Sequence, residues 1–401
     1  MGHGVVGSGV AEILLTHKQK LYAGLGEEIY IKKILDLREF PDSPVADRFT
    51  KDFEEIVNDL EIRVVVEVMG GIHPAYEFVK RCLKAGKSVV TSNKELVADH
   101  GAELLAIAKE ENVNFMFEAS VGGGIPIIRP MNQCLVANNV NEVAGILNGT
   151  TNFILTKMID DGMQFADALK LAQDLGFAER DPSADIHGHD ACRKICILAS
   201  LAYGRHIYPD SVHTEGITGI TLSDVKLAKG FGYVIKLIGR VKKLEGGKID
   251  ILTAPMLVPF KSQLSNIDYE FNGIMVRGDC TGDVVFYGKG AGKLPTASAV
   301  VADVVDCCKH LKARRFLFWA DGDGSNIISY KDSVSAMYLR LSGDDAEAKA
   351  QKAFGDITVA NGDGEIAVLT GEMAYGEFEN KCAALRADGV QVMSTIRIGD
   401  I

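Results

Sequence analysis

The chain has 401 residues, of which 47% are hydrophobic and 24% charged, and its formal net charge is −11. Such a composition is typical of a globular protein with two or three domains. The acidic balance disfavours nucleic acids and anionic membranes as partners, because both attract a basic surface. No apolar run approaches the roughly 20 residues of a membrane span, and the amino terminus lacks a signal-peptide pattern. These features predict a cytoplasmic protein whose eight cysteines are reduced.

The first feature in chain order is a glycine-rich turn. Residues 2–9 read GHGVVGSG, which contains the spacing G-x-G-x-x-G and runs into a predicted helix at 8–15. The amide groups at the start of such a helix bind the pyrophosphate of a dinucleotide. The residues predicted here to bind a cofactor are Gly2, Gly4, Val5, Val6 and Gly7.

An apolar run at 29–35 predicts the next strand, which ends at Asp36. A carboxylate in this position binds the adenosine ribose in dinucleotide-binding folds. Arg38, two residues further on, would instead bind a 2′-phosphate, so the choice between NAD and NADP stays open. The distance from Gly7 is longer than usual, and an inserted loop around 23–26 would account for it.

Short apolar strands predicted within 64–71, 88–94 and 114–118 alternate with segments of helix length. This alternation is typical of a parallel sheet, whose ligands gather at the carboxyl ends of the strands. Residues at two of these ends are therefore predicted to complete the cofactor site: Gly70, Gly71, Ser92, Asn93 and Lys94.

The glycine turn normally follows a central strand, yet here it begins at residue 2. Loss of a central strand would leave the ladders of two neighbouring strands without a partner. We therefore expect either an upstream extension of about five to ten residues or a damaged nucleotide site.

The segment 176–194, GFAERDPSADIHGHDACRK, concentrates acidic residues near one lysine. Asp190 and Lys194 are four residues apart on a predicted helix, in the favourable order for an ion pair. The apolar residues that follow indicate a buried helix, which favours a polar substrate pocket over the alternative of a solvated loop with a surface ion pair. Zinc is disfavoured, because the nearby histidines and cysteines lack a second pair with zinc spacing. The four carboxylates of the segment are Glu179, Asp181, Asp185 and Asp190.

Six segments together resemble the homoserine dehydrogenases over nearly the full length of the chain. They are GHGVVGSG (2–9), TSNKELVA (91–98), EASVGGGIPII (118–128), GILNGTTNFIL (145–155), the acidic segment 176–194 and GKGAGKLPTASAVVADV (288–304). The resemblance implies a reversible, nicotinamide-dependent interconversion of L-homoserine and L-aspartate 4-semialdehyde, the branch step toward threonine, methionine and isoleucine. The alternatives are a nucleotide-binding sensor, an inactive paralogue, or a Rossmann dehydrogenase for another amino-acid-derived substrate.

The resemblance also implies the catalytic residues. Lys194 matches the catalytic lysine, Asp190 matches an acid near the reacting hydroxyl, and Lys94 matches a second lysine near substrate and cofactor. A lysine donates a proton to the alkoxide that forms when hydride reduces an aldehyde. Which of the two lysines carries this proton is left open.

The same comparison implies the residues that bind substrate. Glu179 matches the residue that takes the substrate ammonium, and Asp185 matches a second acid near the hydroxyl. Thr150, with Gly149 before it, matches a position that contacts the substrate. The hydroxyl of Thr150 would also suit a helix cap. Phe177 stands where relatives commonly have tyrosine.

Two glycine-rich segments complete the site that the resemblance implies. Glu118, Val121, Gly123 and Ile125 match the ligands of a sodium ion, although glycines there would also serve as a hinge. Residues 288–292 resemble the crossing back to the nucleotide-binding domain, where Gly290 and Ala291 would contact the cofactor. A phosphate-binding P-loop is the alternative, but the required lysine–threonine pair does not end this segment.

These features predict an α/β chain of three domains. Residues 1–125 with about 291–325 would form a Rossmann-type doubly wound parallel sheet, with its first strand missing. Residues 126–290 would form an α+β catalytic and dimerisation domain, and the protein would be a homodimer or homotetramer. Residues 333–401 suggest a β-α-β-β-α-β unit that resembles a ferredoxin-like ACT regulatory module. Its usual Pro-Gly turn is replaced at 343–347, which indicates a degenerate module and disfavours regulation by threonine.

Overall fold

The computed structural model describes residues 1–311, 313–314 and 317–401. The chain divides into two compact units, each assembled from separate segments. Unit 1 comprises Met1–Asn139, Cys196–Pro209 and Gly288–Asp323, and unit 2 comprises Val140–Ile195, Asp210–Tyr287 and Gly324–Ile401. Within the described residues, every helix is too short or too polar to cross a membrane.

The α-helices in chain order are α1 (Val5–Thr16), α2 (Lys18–Leu25), α3 (Glu54–Val57), α4 (Ala75–Lys84), α5 (Lys94–Glu110), α6 (Gly149–Asp160), α7 (Phe165–Asp174), α8 (Ser183–Ile186), α9 (His189–Tyr203), α10 (Leu222–Gly230), α11 (Lys293–Lys309), α12 (Ala346–Phe354) and α13 (Tyr375–Ala387). The strands in chain order are β1 (Ile34–Leu35), β2 (Phe49–Thr50), β3 (Val64–Glu67), β4 (Ser88–Thr91), β5 (Phe115–Met116), β6 (Val140–Ile146), β7 (His213–Thr214), β8 (Tyr233–Lys243), β9 (Ile249–Pro259), β10 (Phe271–Gly278), β11 (Gly282–Lys289), β12 (Val334–Ser335), β13 (Met337–Ser342), β14 (Thr358–Asn361), β15 (Ile366–Leu369), β16 (Met373–Ala374) and β17 (Gln391–Ile398).

Unit 1 contains the predicted parallel strands. β3, β4 and β5 pair in parallel in that order. Helices α4 and α5 bury their apolar faces, including Val79, Leu83, Leu96 and Leu104, each with 0% of its surface exposed. Each such side chain contributes about 1.5–3 kcal/mol to folding. The layer places the carboxyl ends of β3 and β4 side by side.

The strand predicted at 29–35 is shorter than expected, because only β1 pairs, in parallel with β2. Met1 and Gly2 lie between this pair and β3. The amino group of Met1 donates to the carbonyl of Val66 at 2.7 Å, and the Gly2 amide donates to the carbonyl of Leu35 at 2.8 Å. Burial lowers the pKa of that amino group. Residues of 29–34 and 61–66 line a cavity of about 280 Å³. A strand extends only as far as its neighbour supplies hydrogen bonds, so the predicted strand is limited to β1.

Unit 2 is built on one ten-stranded mixed sheet. Its order is β11-β10-β6-β8-β9-β17-β13-β15-β14, and β7 also pairs with β9. The hairpin predicted around 245–248 is confirmed, since β8 and β9 pair antiparallel on either side of Glu245–Gly247. β9 pairs in parallel with β7 and β17.

The carboxyl-terminal part of unit 2 has the predicted β-α-β-β-α-β order, formed by β13, α12, β14, β15, α13 and β17. The strand order β17-β13-β15-β14 is ferredoxin-like. Leu339 and Leu341 of β13 pack with Phe378 and Leu385 of α13 in its core. Because β17 also pairs with β9, this module shares a continuous hydrogen-bonded sheet with the rest of unit 2.

Candidate active site

The predicted ion pair lies at the start of α9 and is buried. The side chains of Asp190 and Lys194 are 3% and 10% exposed, and the Lys194 ammonium lies 2.8 Å from the Asp190 carboxylate. Lys194 also donates to the carbonyl of Leu147 at 2.8 Å. Ala191 and Ile195, on the same helix, are completely buried. This burial contradicts the alternative of a surface ion pair.

Asn148, which is not among the residues predicted for the site, brings the acidic residues together. Its side-chain amide donates to Asp185 at 2.7 Å and to Asp190 at 2.8 Å. Its side-chain oxygen accepts from the Thr151 amide at 2.8 Å and caps α6. An asparagine just before an apolar helix is a recognisable cap signal that would have identified it. Asn148, Asp185, Asp190 and Lys194 are together called the polar centre below.

Thr150 anchors the loop that follows α7. Its hydroxyl donates to the carbonyl of Phe177 at 2.6 Å. The cap interpretation of Thr150 is therefore wrong, because Asn148 is the cap. The Phe177 ring packs against Phe153, with 4.9 Å between the ring centroids. Glu179 follows on this loop and is exposed, so the structure does not draw it into the polar centre.

In unit 1, hydrogen bonds join the carboxyl ends of β3 and β4. The Thr91 hydroxyl donates to Glu67 at 2.6 Å, and the Asn93 side chain donates to the carbonyl of Gly71 at 2.6 Å. Asn93 also caps α5, whose first residue is Lys94. A lysine is unfavourable at a helix amino terminus, where the helix dipole is positive. Helix stability therefore does not explain a lysine at this position.

The glycine turn fits a dinucleotide. A Cβ atom on Gly7 would lie 2.2 Å from the carbonyl oxygen of Gly2, whereas a Cβ on Gly4 would meet nothing within 4 Å. The helix α1 begins at Val5, and its cap residue Gly4 supplies no side-chain hydrogen bond. The turn is thus closed at Gly7 and has space beside Gly4, the residue before the first amide groups of the helix, where a pyrophosphate binds in such turns.

Asp36 and Arg38, the two residues predicted to select the cofactor, are bonded to each other. The Arg38 guanidinium donates to both carboxylate oxygens of Asp36, at 3.0 and 2.8 Å. The His3 amide donates to the same carboxylate at 2.7 Å. The Arg38 hydrogen bond holds the pKa of Asp36 far below its usual range. Both residues line a cavity of about 280 Å³ together with Phe40 and Phe49.

In the loop predicted to bind sodium, the side chain of Glu118 binds backbone amide groups. The Glu118 carboxylate accepts the backbone amides of residues 127–129, at 2.6, 2.8 and 2.8 Å. Val121, Gly123 and Ile125 have no side-chain oxygen, so a cation there would be held by backbone carbonyls, which suit a hard cation. In the part of the chain that the structure describes, no three His, Cys, Asp or Glu side chains form a metal-binding group.

Asp303, beside this loop, is expected to make the protein less stable as the pH rises from about 4 to 7. It accepts hydrogen bonds from the Glu118 amide at 2.8 Å and from Arg129 at 2.6 Å. Burial, together with the Glu118 charge, raises the pKa of Asp303 to about 7. A folded-state pKa above the unfolded value favours the protonated native protein. The resulting stabilisation is complete below the unfolded pKa, and up to about 4 kcal/mol is lost as the pH rises through the folded pKa.

Thermal midpoints of the wild type and of Asp303→Asn, measured in parallel between pH 4 and 8, test this expectation. The midpoint of the wild type should fall relative to that of the variant as the pH rises. A difference that stays constant over this range would show that Asp303 does not titrate there.

Comparison with known proteins identifies the family. Residues 2–118 match the family model described as homoserine dehydrogenase, NAD binding domain, and residues 126–305 match the model described as homoserine dehydrogenase. The chain is 37% identical over an alignment 414 positions long to homoserine dehydrogenase of Neisseria gonorrhoeae, covering 96% of this chain and 94% of that protein. The chain belongs to the homoserine dehydrogenase family.

Further members of the homoserine dehydrogenase family agree with this assignment. The Bacillus subtilis enzyme is 42% identical over 315 residues, which cover 78% of this chain and 72% of that protein. The crystal structure of a homoserine dehydrogenase from Thiobacillus denitrificans matches with a TM-score of 0.93 and 36% identity, covering 100% of this chain and 97% of that one. A hyperthermophilic archaeal homoserine dehydrogenase mutant in complex with NADPH matches 76% of this chain and 95% of its own, with a TM-score of 0.64 and 28% identity. The family, α/β fold and oxidoreductase class predicted from the sequence are confirmed.

Proposed function

We propose that this member of the homoserine dehydrogenase family catalyses the reversible oxidation of L-homoserine to L-aspartate 4-semialdehyde, with NADP or NAD as cofactor. The observation that carries the proposal is the buried polar centre, which lies in segments typical of the family. A buried lysine held by a carboxylate is a positioned proton carrier, whose ammonium donates a proton to the alkoxide in reduction and whose neutral amine accepts the hydroxyl proton in oxidation. The protein would act in the cytoplasm as a homodimer or homotetramer.

The residues of unit 2 would handle the proton and the substrate charges. Lys194 would take the hydroxyl proton as the neutral amine during oxidation and return it as the ammonium during reduction, and Asp190 would orient its side chain. Asp185 would bind beside the reacting hydroxyl. The carboxylate of Glu179 would accept the substrate ammonium, and Thr150, with Gly149, would line the substrate site.

The residues of unit 1 would hold the cofactor. A bound nicotinamide nucleotide would exchange a hydride with C4 of homoserine. The amides at the start of α1 would bind its pyrophosphate, and Asp36 or Arg38 would bind the adenosine ribose or its 2′-phosphate. Lys94 would lie near the cofactor as the alternative proton carrier, and backbone carbonyls of 118–125 would bind a sodium ion.

The test is the initial rate of L-homoserine oxidation, followed as reduced nicotinamide, with NAD and NADP compared side by side. We expect homoserine-dependent turnover. The preferred cofactor would show whether Asp36 or Arg38 reads the ribose, because only NADP carries the 2′-phosphate. If the protein binds nicotinamide nucleotides but does not oxidise homoserine, it is a nucleotide-binding sensor or a dehydrogenase for another amino-acid-derived substrate.

A further inference from the structure

Lys236 on β8 is a buried cation outside the polar centre. Its side chain is 1% exposed, and its ammonium donates to the carbonyl of Ile267 at 2.6 Å, to the carboxylate of Asp268 at 3.1 Å and to the side-chain oxygen of Asn152 at 3.2 Å. A buried ammonium costs several kcal/mol unless polar groups compensate it. Three acceptors around one ammonium therefore indicate an arrangement built to hold the segment that supplies two of them.

Asn152 of α6 binds the rest of that segment, residues 267–271, called the crossing loop below. Its side-chain amide donates to the carbonyls of Ile267, Tyr269 and Phe271, at 3.0, 3.0 and 3.1 Å. The hydroxyl of Thr156, one turn further along α6, accepts from the Tyr269 amide at 3.1 Å. Lys236 and α6 together thus fix the backbone of the crossing loop along its whole length.

The crossing loop lies directly against the first residue of α6. A Cβ atom on Gly149 would lie 2.7 Å from the carbonyl oxygen of Glu270, so a side chain there would displace either the loop or the helix. Gly149 follows Asn148, whose amide binds both acids of the polar centre. The position of the crossing loop therefore limits where Asn148 can lie.

We propose that Lys236 is a positioning residue for homoserine binding, acting through the crossing loop and Gly149 on Asn148. In the contacts described above, the Lys236 ammonium donates to Asn152 and to the crossing loop but not to the polar centre. Its effect on the polar centre is therefore indirect. Without its ammonium, the crossing loop loses its connection to β8 and the first turn of α6 gains freedom. The Asn148 amide then no longer holds the carboxylates of Asp185 and Asp190 in one arrangement. This inference rests on the proposed function, because homoserine kinetics report it.

The test compares Lys236→Met with the wild type and with the control Lys242→Met. Lys242 lies on the same strand, but its ion pair with Asp400 is at the surface. We expect Lys236→Met to lower kcat/KM for homoserine by about 100-fold, the scale of a 1 Å misplacement, mainly through a higher KM. The affinity for nicotinamide nucleotide should be unchanged. Amide hydrogen exchange at 148–151 should become faster in Lys236→Met and not in Lys242→Met.

Gly149→Ala provides a second route if Lys236→Met does not fold, because its methyl group displaces the crossing loop while Lys236 remains. Faster exchange at 148–151 is the deciding result for this variant, because a substitution at Gly149, which is proposed to line the substrate site, also raises the homoserine KM directly. A lower thermal midpoint with unchanged homoserine KM and unchanged exchange would make Lys236 purely structural and overturn the inference. A wild-type protein that does not oxidise homoserine would instead overturn the proposed function, and the exchange measurement would still test the role of Lys236.

Discussion

Replacing Lys194 by methionine is expected to lower homoserine turnover by about 10²–10⁴-fold, the usual contribution of a positioned proton carrier. Methionine keeps most of the length of the side chain but carries no proton. Asp190 would still accept a hydrogen bond from Asn148 at 2.8 Å, so its buried carboxylate keeps a partner and the helix should remain folded. Initial rates measure turnover, and a fluorescence titration with reduced nicotinamide nucleotide measures cofactor affinity. Only the rate should change.

Lys170→Met is the matched control, since Lys170 also forms an ion pair with an aspartate four residues away, but its side chain is 72% exposed. Neither its turnover nor its nucleotide affinity should change. If Lys194→Met loses turnover and nucleotide binding equally, the lysine is structural. Comparing Lys94→Met with Lys194→Met decides between the two candidate proton carriers. The variant that lacks the carrier should lose more turnover, and its nucleotide affinity should be unchanged.

The sequence predicted the polar centre in part, because part of it is local. Asp190 and Lys194 are four residues apart, and helical geometry alone places them on one face. Asn148 is 42 residues from Asp190, and only the tertiary fold brings the two together. The sequence contains the cap signal of Asn148, which concerns its side-chain oxygen. That signal does not identify which distant carboxylates the side-chain NH2 group will bind.

The strand predicted at 29–35 also depends on a contact between distant segments that the local sequence does not encode. Its β-rich composition predicts a strand of seven residues, but only Ile34–Leu35 pair with a neighbour. Strand length depends on the hydrogen-bonding partner as much as on propensity. The carboxyl-terminal module was easier to predict, because each of its helices and strands carries its own periodicity. Its junction with the large sheet, where Arg397 pairs with Met256, is not encoded in any one segment.

That module is also held by a buried ion pair, and Arg340→Met is expected to lower the free energy of unfolding by about 3–5 kcal/mol. Arg340 of β13 is 7% exposed and lies 2.8 Å from Asp224, which is completely buried. Asp224 completes the capping box of α10 with Thr221. Removing the guanidinium therefore leaves the Asp224 carboxylate buried without a cation, with only the hydrogen bonds from Thr221 and Tyr338. Urea unfolding of the wild type and the variant measures the loss.

The double variant Arg340→Met with Asp224→Asn separates the buried charge from the lost packing. Asparagine keeps an oxygen for the Thr221 cap but carries no charge, so the double variant should be more stable than Arg340→Met alone. Lys381→Met, which breaks a more exposed pair with Glu377 on α13, should cost no more than about 0.5 kcal/mol. If the double variant is no more stable than the single one, the loss comes from the packing of the arginine stem. The charge of Asp224 would then not be the reason why Arg340 stabilises the contact between β13 and α10.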